Sequence, residues 1–255
     1  MSNTIKSICF AIALCLICGT LLATASKGLK NRQRANMMTD RQKNILRSVQ
    51  LIDDGVKYSP DKINALYEKN IKQVIVDESG TIISERIDKN LTDAKTLPIY
   101  LYILTDGSIE SYIIPIDTQG LWGKIHGYLS LKTDGSTING FTVYKHSETP
   151  GLGGEIEKNW FQKNFVGKKI LNREGSFVSL SIAKGKVEDS IPEVRRTNYV
   201  DGISGATLTG KFLSKGLQEI LVTYEPVSIR FRKKNFYNYS EIKNTLLPKN
   251  ETNQD

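Results

Sequence analysis

Ser7 to Ser26, SICFAIALCLICGTLLATAS, runs twenty residues without a charge, apolar all round a helix and long enough to cross a hydrocarbon core. Two readings stand. A secretory signal would have Lys6 before its apolar core and Ala23-Thr-Ala25 as a cleavage site, but the run exceeds the roughly 7–15 residues of such cores, which favours a retained anchor. The next stretch, from Asn31 to Ile63, is polar with Met38, Ile45, Val49 and Ile52 at helical spacing, and it predicts a stalk helix. Short apolar runs follow, Val74 to Asp77 and Thr81 to Ser84 about the turn Asp77-Glu-Ser-Gly80, then Pro98 to Leu104 and Ile109 to Pro115 about Asp106-Gly-Ser108. Such pairs predict antiparallel hairpins.

Gly120 to Leu131 and Ile138 to Val143 extend the strand pattern across the turn Asp134-Gly135, and a helix is expected around Trp160 and Phe161. Alternation makes Phe177 to Lys184 a strand, with a loop from Glu188 to Tyr199. Leu208, Phe212, Leu217, Ile220 and Leu221 then place a helix from about Thr207. After Pro226, Val227 to Phe231 reads as a short strand, and Lys233 to Asp255 as a polar, frayed end. The expected divisions are a tail (1–6), a transmembrane helix (7–26), a stalk (27–63), a small α/β subdomain (64–119), a second domain (120–226) and a C-terminal tail (227–255). The fold class is α+β, a twisted sheet packed with helices behind one membrane helix.

Composition narrows the function. At 255 residues and 39% hydrophobic the chain can bury a core, and its charge of +8 comes from scattered lysines and arginines without a nucleic-acid module, so no nucleic acid is expected as partner. Lys27 to Arg34 and Arg230 to Lys234 are basic groups suited to membrane lipids or a partner protein. Cys9, Cys15 and Cys18 all lie in the apolar run, and His126 and His146 are the only histidines. No metal site and no catalytic residue is therefore assigned. No Gly-x-Gly-x-x-Gly follows a strand, so the chain is not expected to bind NADH.

Two stretches carry candidate chemistry. Asp201-Gly-Ile-Ser204-Gly205-Ala206-Thr207-Leu208 places small residues and hydroxyls at a helix start, where unpaired N–H groups and the helix dipole favour an anion. It reads as a phosphate site or as an ordinary capped helix. The second, His146 to Glu157, is too rich in glycine for a regular element and suits a close approach to a planar ligand. There Thr149 and Leu152 would touch the ligand while Glu148 and Glu155 stay outside; the alternative is a plain hairpin loop. Trp122 either fills the core or faces the ligand.

Asp201 to Thr207 resembles the Asp-x-x-Ser/Thr-Gly-Ala-Thr pattern of proteins that carry FMN covalently. With His146 to Glu157 it resembles the NqrC family, the C component of the sodium-translocating NADH:quinone reductase (Nqr), over most of the chain up to about Pro226. The resemblance implies one FMN esterified through its phosphate to Thr207, in an FMN-binding domain. Thr207 would be loaded by a flavin transferase that uses FAD and a divalent metal and reads Asp201, Ser204, Gly205, Ala206 and Thr207. Leu121 and Trp122 would lie near the ring, with Leu208, Thr149 and Leu152 as further contacts. It also implies an electron carrier between NADH and ubiquinone in a sodium-exporting complex with components A, B, D, E and F. The chain would sit single-pass in a bacterial inner membrane with its soluble domain periplasmic, although Lys27, Lys30, Arg32 and Arg34 by themselves argue for the opposite orientation. The G component of the related Rnf complex, acting between ferredoxin and NAD, and a non-enzymatic membrane-anchored binding module are the alternatives.

Overall fold

The computed structural model describes residues 3–85, 96–234 and 238–246. The chain divides into two compact units, residues 1–41 and 42–255. Helix α1 (Asn3–Ser48) holds the apolar span, none of which is buried, and it is the single helix among the described residues long and apolar enough to cross a membrane.

The second unit starts within that helix. Instead of running on to residue 63, α1 stops at Ser48, where Gln50 takes φ 60 and Leu51 N–H returns to the Leu46 carbonyl. Val49 and Ile52 leave helical register and go into a core with Ile45, Leu46, Ile63, Ile71, Ile113 and Tyr128. Helix α2 (Pro60–Asn70) restarts behind Ser59, whose Oγ accepts from Lys62 N–H, with proline in the first turn where no N–H is needed.

Among the described residues six antiparallel strands follow: β1 (Ile71–Val76), β2 (Ile82–Ser84), β3 (Leu97–Ile103), β4 (Ile109–Gln119), β5 (Lys124–Lys132) and β6 (Ile138–Lys145), in the order β2-β1-β3-β4-β5-β6. The sheet crosses the boundary expected at residue 120, because β4 and β5 form one long hairpin from Ser111↔Lys132 to Gln119↔Lys124. Alternation in β4 serves both faces. Ile113 joins the core shared with the end of α1 and α2, while Tyr112, Ile114 and Ile116 join the larger core opposite.

Helix α5 (Thr207–Arg232) closes that larger core through Leu213, Leu217, Leu221, Tyr224, Val227 and Phe231. Leu208 and Phe212 fall off this stripe and are exposed. Gly216 lets the helix reach β4, since a Cβ there would lie 1.8 Å from Thr118 Oγ1. The strand expected over 227–231 is instead the last turns of α5, which continues through Pro226. An interior proline costs about 3 kcal/mol. Beyond it, Val227, Ser228 and Phe231 are buried, Phe231 stacks on Tyr112 at 4.1 Å, and Tyr112 donates to Ser228 Oγ at 2.8 Å. Packing outweighs the breaker.

Between β6 and α5 lie a 3₁₀ turn (Gly153–Glu157), α3 (Asn159–Lys163), β7 (Ser181–Ile182), α4 (Val187–Ser190), a second 3₁₀ turn (Glu193–Asn198) and β8 (Tyr199–Val200). The strand expected over 177–184 shrinks to two residues, parallel to β8. The expected 188–199 loop is mostly helical turns. After α5, α6 (Tyr239–Leu246) occupies part of the expected frayed tail; residues 247–255 lie outside the described residues.

Candidate functional site

Past Lys145 the chain folds tightly on itself. His146 Nδ1 accepts the Glu148 N–H at 3.1 Å, and His146 Nε2 pairs with Glu157 Oε2 at 3.2 Å. The Thr149 carbonyl accepts the N–H groups of Leu152 and Gly154, and Gly151, just before Leu152, has φ 72. These bonds turn Glu148 inward. Expected outside, it is 4% exposed, because its Oε1 accepts the Trp122 N–H at 3.0 Å and its Oε2 accepts the Thr209 hydroxyl at 2.5 Å. Glu155 stays partly exposed and accepts from Trp160 Nε1 at 3.0 Å.

Three segments distant in sequence meet at that carboxylate. A Cβ on Gly120 would lie 2.5 Å from Glu148 Oε1, and one on Gly153 would lie 2.8 Å from Oε2 and 2.4 Å from Thr209 Oγ1. Gly205, at φ 74, has Leu152 Cδ2 where its Cβ would stand, 2.8 Å away. Side chains at the first two positions have no room, and a left-handed φ favours glycine at the third.

The hydroxyls of the helix start are sorted by these contacts. Ser204 is exposed. Thr209 is buried and spent on Glu148. Thr207, the first residue of α5, is partly exposed, and its hydroxyl makes no hydrogen bond among the described residues. No side chain caps the helix, as Ala206 occupies the N-cap, so the first-turn N–H groups are left for an anion.

Trp122 is 68% exposed, Leu208 53% and Leu152 43%, so the core-filling reading of Trp122 does not hold. Leu121 is half-buried and Thr149 exposed. Asp201 is half-buried, with Oδ1 accepting the Val187 N–H at 2.7 Å at the start of α4. Arg195 donates to the Tyr199 hydroxyl, and Arg196 donates to the carbonyls of Glu188 and Ile191. Burial pushes the Lys168 ammonium below its usual range, partly offset by the charge of Asp201. Lys158 holds the Glu157 carboxyl below its usual range, with His146 contributing against slight burial.

An arrangement of exposed apolar side chains, an unpaired hydroxyl and uncapped N–H groups suits a ligand with a flat apolar part and a phosphate. A separate cleft of about 460 Å³, lined among others by Arg47, Asp54, Asn159 and Gln162, shares none of these residues. The sequence reading missed Glu148 and the burial of Thr209. The partners are 26 and 61 residues apart, so local pattern gives no sign of them.

Known proteins share both the sequence and the fold around this site. The FMN-binding domain family matches residues 120–222. The C component (NqrC) of the Na(+)-translocating NADH-quinone reductase of Pseudomonas aeruginosa is 32% identical over 245 residues, covering 86% of this chain and 90% of that protein. Its counterpart in Neisseria meningitidis serogroup B is 32% identical, covering 81% and 84%. The crystal structure of the same component from Parabacteroides distasonis superposes with a TM-score of 0.65 at 32% identity, over 78% of this chain and 96% of that one. Shewanella oneidensis NqrC, at 19% identity and a TM-score of 0.59, shares the fold.

Proposed function

The chain belongs to the NqrC family of the Na(+)-translocating NADH-quinone reductases, and from that premise we propose that it is a one-flavin electron carrier of such a complex, with FMN esterified to Thr207. The observation that carries the attachment point is the difference between two neighbouring hydroxyls: Thr207 is accessible and unbonded at an uncapped helix start, while Thr209 is buried on Glu148.

When bound, FMN supplies reversible acceptance and release of electrons. The residues of this chain bind, orient and shield it. The first turn of α5 holds the phosphodiester, whose single negative charge at a helix start is favourable by about 0.3–1 kcal/mol where exposed. Trp122, Leu152 and Leu208 offer apolar surface to the ring, and Gly205 admits Leu152 against the attachment loop. Among the described residues no histidine contacts Thr207, and a threonine hydroxyl is a weak nucleophile without a base. That agrees with the family resemblance, which implies a separate flavin transferase that reads Asp201, Ser204, Gly205 and Ala206 along with Thr207.

The electrons come ultimately from NADH and pass toward ubiquinone with sodium export. Components A, B, D, E and F of the complex are the partners, and α1 anchors the chain in the inner membrane with the soluble domain periplasmic. A cytoplasm-only reporter fused at the C-terminus that proved active would refute this orientation. Intact mass of the denatured protein, purified from cells with an active flavin transferase, tests the central reading. The expected result is one added FMN ester on the peptide containing Thr207; an unmodified mass, with a control protein loaded in the same cells, sinks it.

A further inference from the structure

We infer that Glu148 is a positioning residue of the flavin site, which ties together the three segments that form it and keeps a fixed negative charge beside the flavin; this rests on the flavin reading above. The geometry is specific. One carboxylate, 4% exposed, accepts a backbone N–H from the Trp122 segment at 3.0 Å and a hydroxyl from the first turn of α5 at 2.5 Å. Its own backbone is pinned by His146, so it cannot swing out without undoing the 146–157 loop. Gly120 and Gly153 have no space for a side chain, because a Cβ would meet a carboxylate oxygen at either position and, at Gly153, Thr209 Oγ1 as well. Every segment bearing an expected flavin contact beyond the attachment loop is thus one bond from Glu148, and Thr207 lies two residues from its hydroxyl partner.

Burying a carboxylate is costly unless it is hydrogen-bonded, and here both oxygens are. It stands opposite the third residue of α5, where the helix dipole is favourable to a negative charge. An apolar residue with a plain turn would close the loop at lower desolvation cost. What the carboxylate adds is directional ties to two segments and a charge. Flavin reduction adds negative charge to the ring region, so a fixed carboxylate in a partly dry site opposes it and holds the potential down.

Glutamine separates the two roles. In Glu148→Gln the amide oxygen can accept from Trp122 N–H while the amide nitrogen donates to Thr209, whose hydroxyl can reverse. The ties persist and the charge goes. In Glu148→Ala both are lost. The experiment uses the full chain in detergent, co-expressed with a flavin transferase, and reads covalent flavin per protein after denaturation, circular dichroism, and the flavin midpoint potential by spectroelectrochemistry. The expected result is parent-level loading with an upward shift of potential for Glu148→Gln, and several-fold lower loading of a still folded chain for Glu148→Ala. If both variants load and poise like the parent, the inference is overturned. If Glu148→Ala does not fold, Glu148→Gln alone decides: an unshifted potential overturns the inference and an upward shift supports it. A parent chain without covalent flavin removes the functional reading itself, which distinguishes the two failures.

Discussion

Two regions of this molecule expose large apolar side chains, and they do so in opposite ways. Along residues 3–41 of α1 the exposed groups, Phe10, Leu16, Leu21 and Leu22 among them, lie on every side of one helix, with nothing polar organised beneath. At the site only Trp122, Leu152 and Leu208 are involved, each from a different segment, and those segments are joined through one buried carboxylate. An apolar surface without direction asks for a solvent, and a bilayer is one. A small apolar rim around fixed polar groups asks for a shaped ligand. Exposure alone therefore says little; what lies under the exposed groups tells the two apart.

Truncation breaks this contrast most sharply. Removing residues 1–34 is expected to move the chain entirely from the membrane to the soluble fraction while leaving flavin loading intact, read by fractionation and in-gel flavin fluorescence. Loss of loading would mean that the anchor also serves the site. At the second region, Thr207→Ala is expected to abolish covalent flavin and leave membrane association unchanged; fluorescence persisting on a denaturing gel would displace the attachment to another residue.

Thr209→Ala is the sharper companion. It is expected to keep a covalent flavin on Thr207, at a loading between those of the parent and Glu148→Ala, and to lose about 1–3 kcal/mol of stability by leaving a buried carboxylate oxygen without its donor. Chemical denaturation reads that difference. Trp122→Ala should change stability by no more than about 0.5 kcal/mol, as for other exposed positions. If the ring lies on Trp122 as proposed, the variant should instead brighten the attached flavin, because an indole stacked on the ring would quench it. Equal brightness would place the ring elsewhere.

The smallest effect is one of pH. Glu157 has a depressed carboxyl, so its contribution to holding the 146–157 loop is present above the ordinary glutamate range and is lost as pH falls through the lower folded value. Glu157→Gln should flatten the acid limb of loop stability, as followed by hydrogen exchange of the Glu148 and Gly154 amides. An unchanged limb would assign the acid response to other groups.

Much of this was legible in the sequence. The hairpins about Asp77, Asp106 and Asp134 follow from local turn chemistry, and the start of α5 at Thr207 from the switch of small residues to helical spacing. The failures are those of long-range packing. Pro226 breaks an isolated helix, yet the stack of Phe231 on Tyr112, more than a hundred residues away, carries α5 through it. Val49 and Ile52 fit a helical stripe, but the helix ends where its last turn reaches the sheet. At the candidate site, the small-residue motif ahead of Thr207 was visible in the sequence, whereas Glu148 read as a surface acid because both donors that make its burial possible lie in other segments.

The span of those two bonds bears on the order of events in the life of the chain. Strands β3 to β6 pair with their immediate sequence neighbours and are expected to zip early, while the ties at Glu148 close loops of 26 and 61 residues and are expected to form after those hairpins. On the function proposed above, a transferase that recognises the finished helix start would act only on completed molecules, and loading would be a checkpoint as well as a modification. Pulse-labelled refolding would show amide protection in β4 and β5 ahead of competence for labelling at Thr207; simultaneous onset would refute that order.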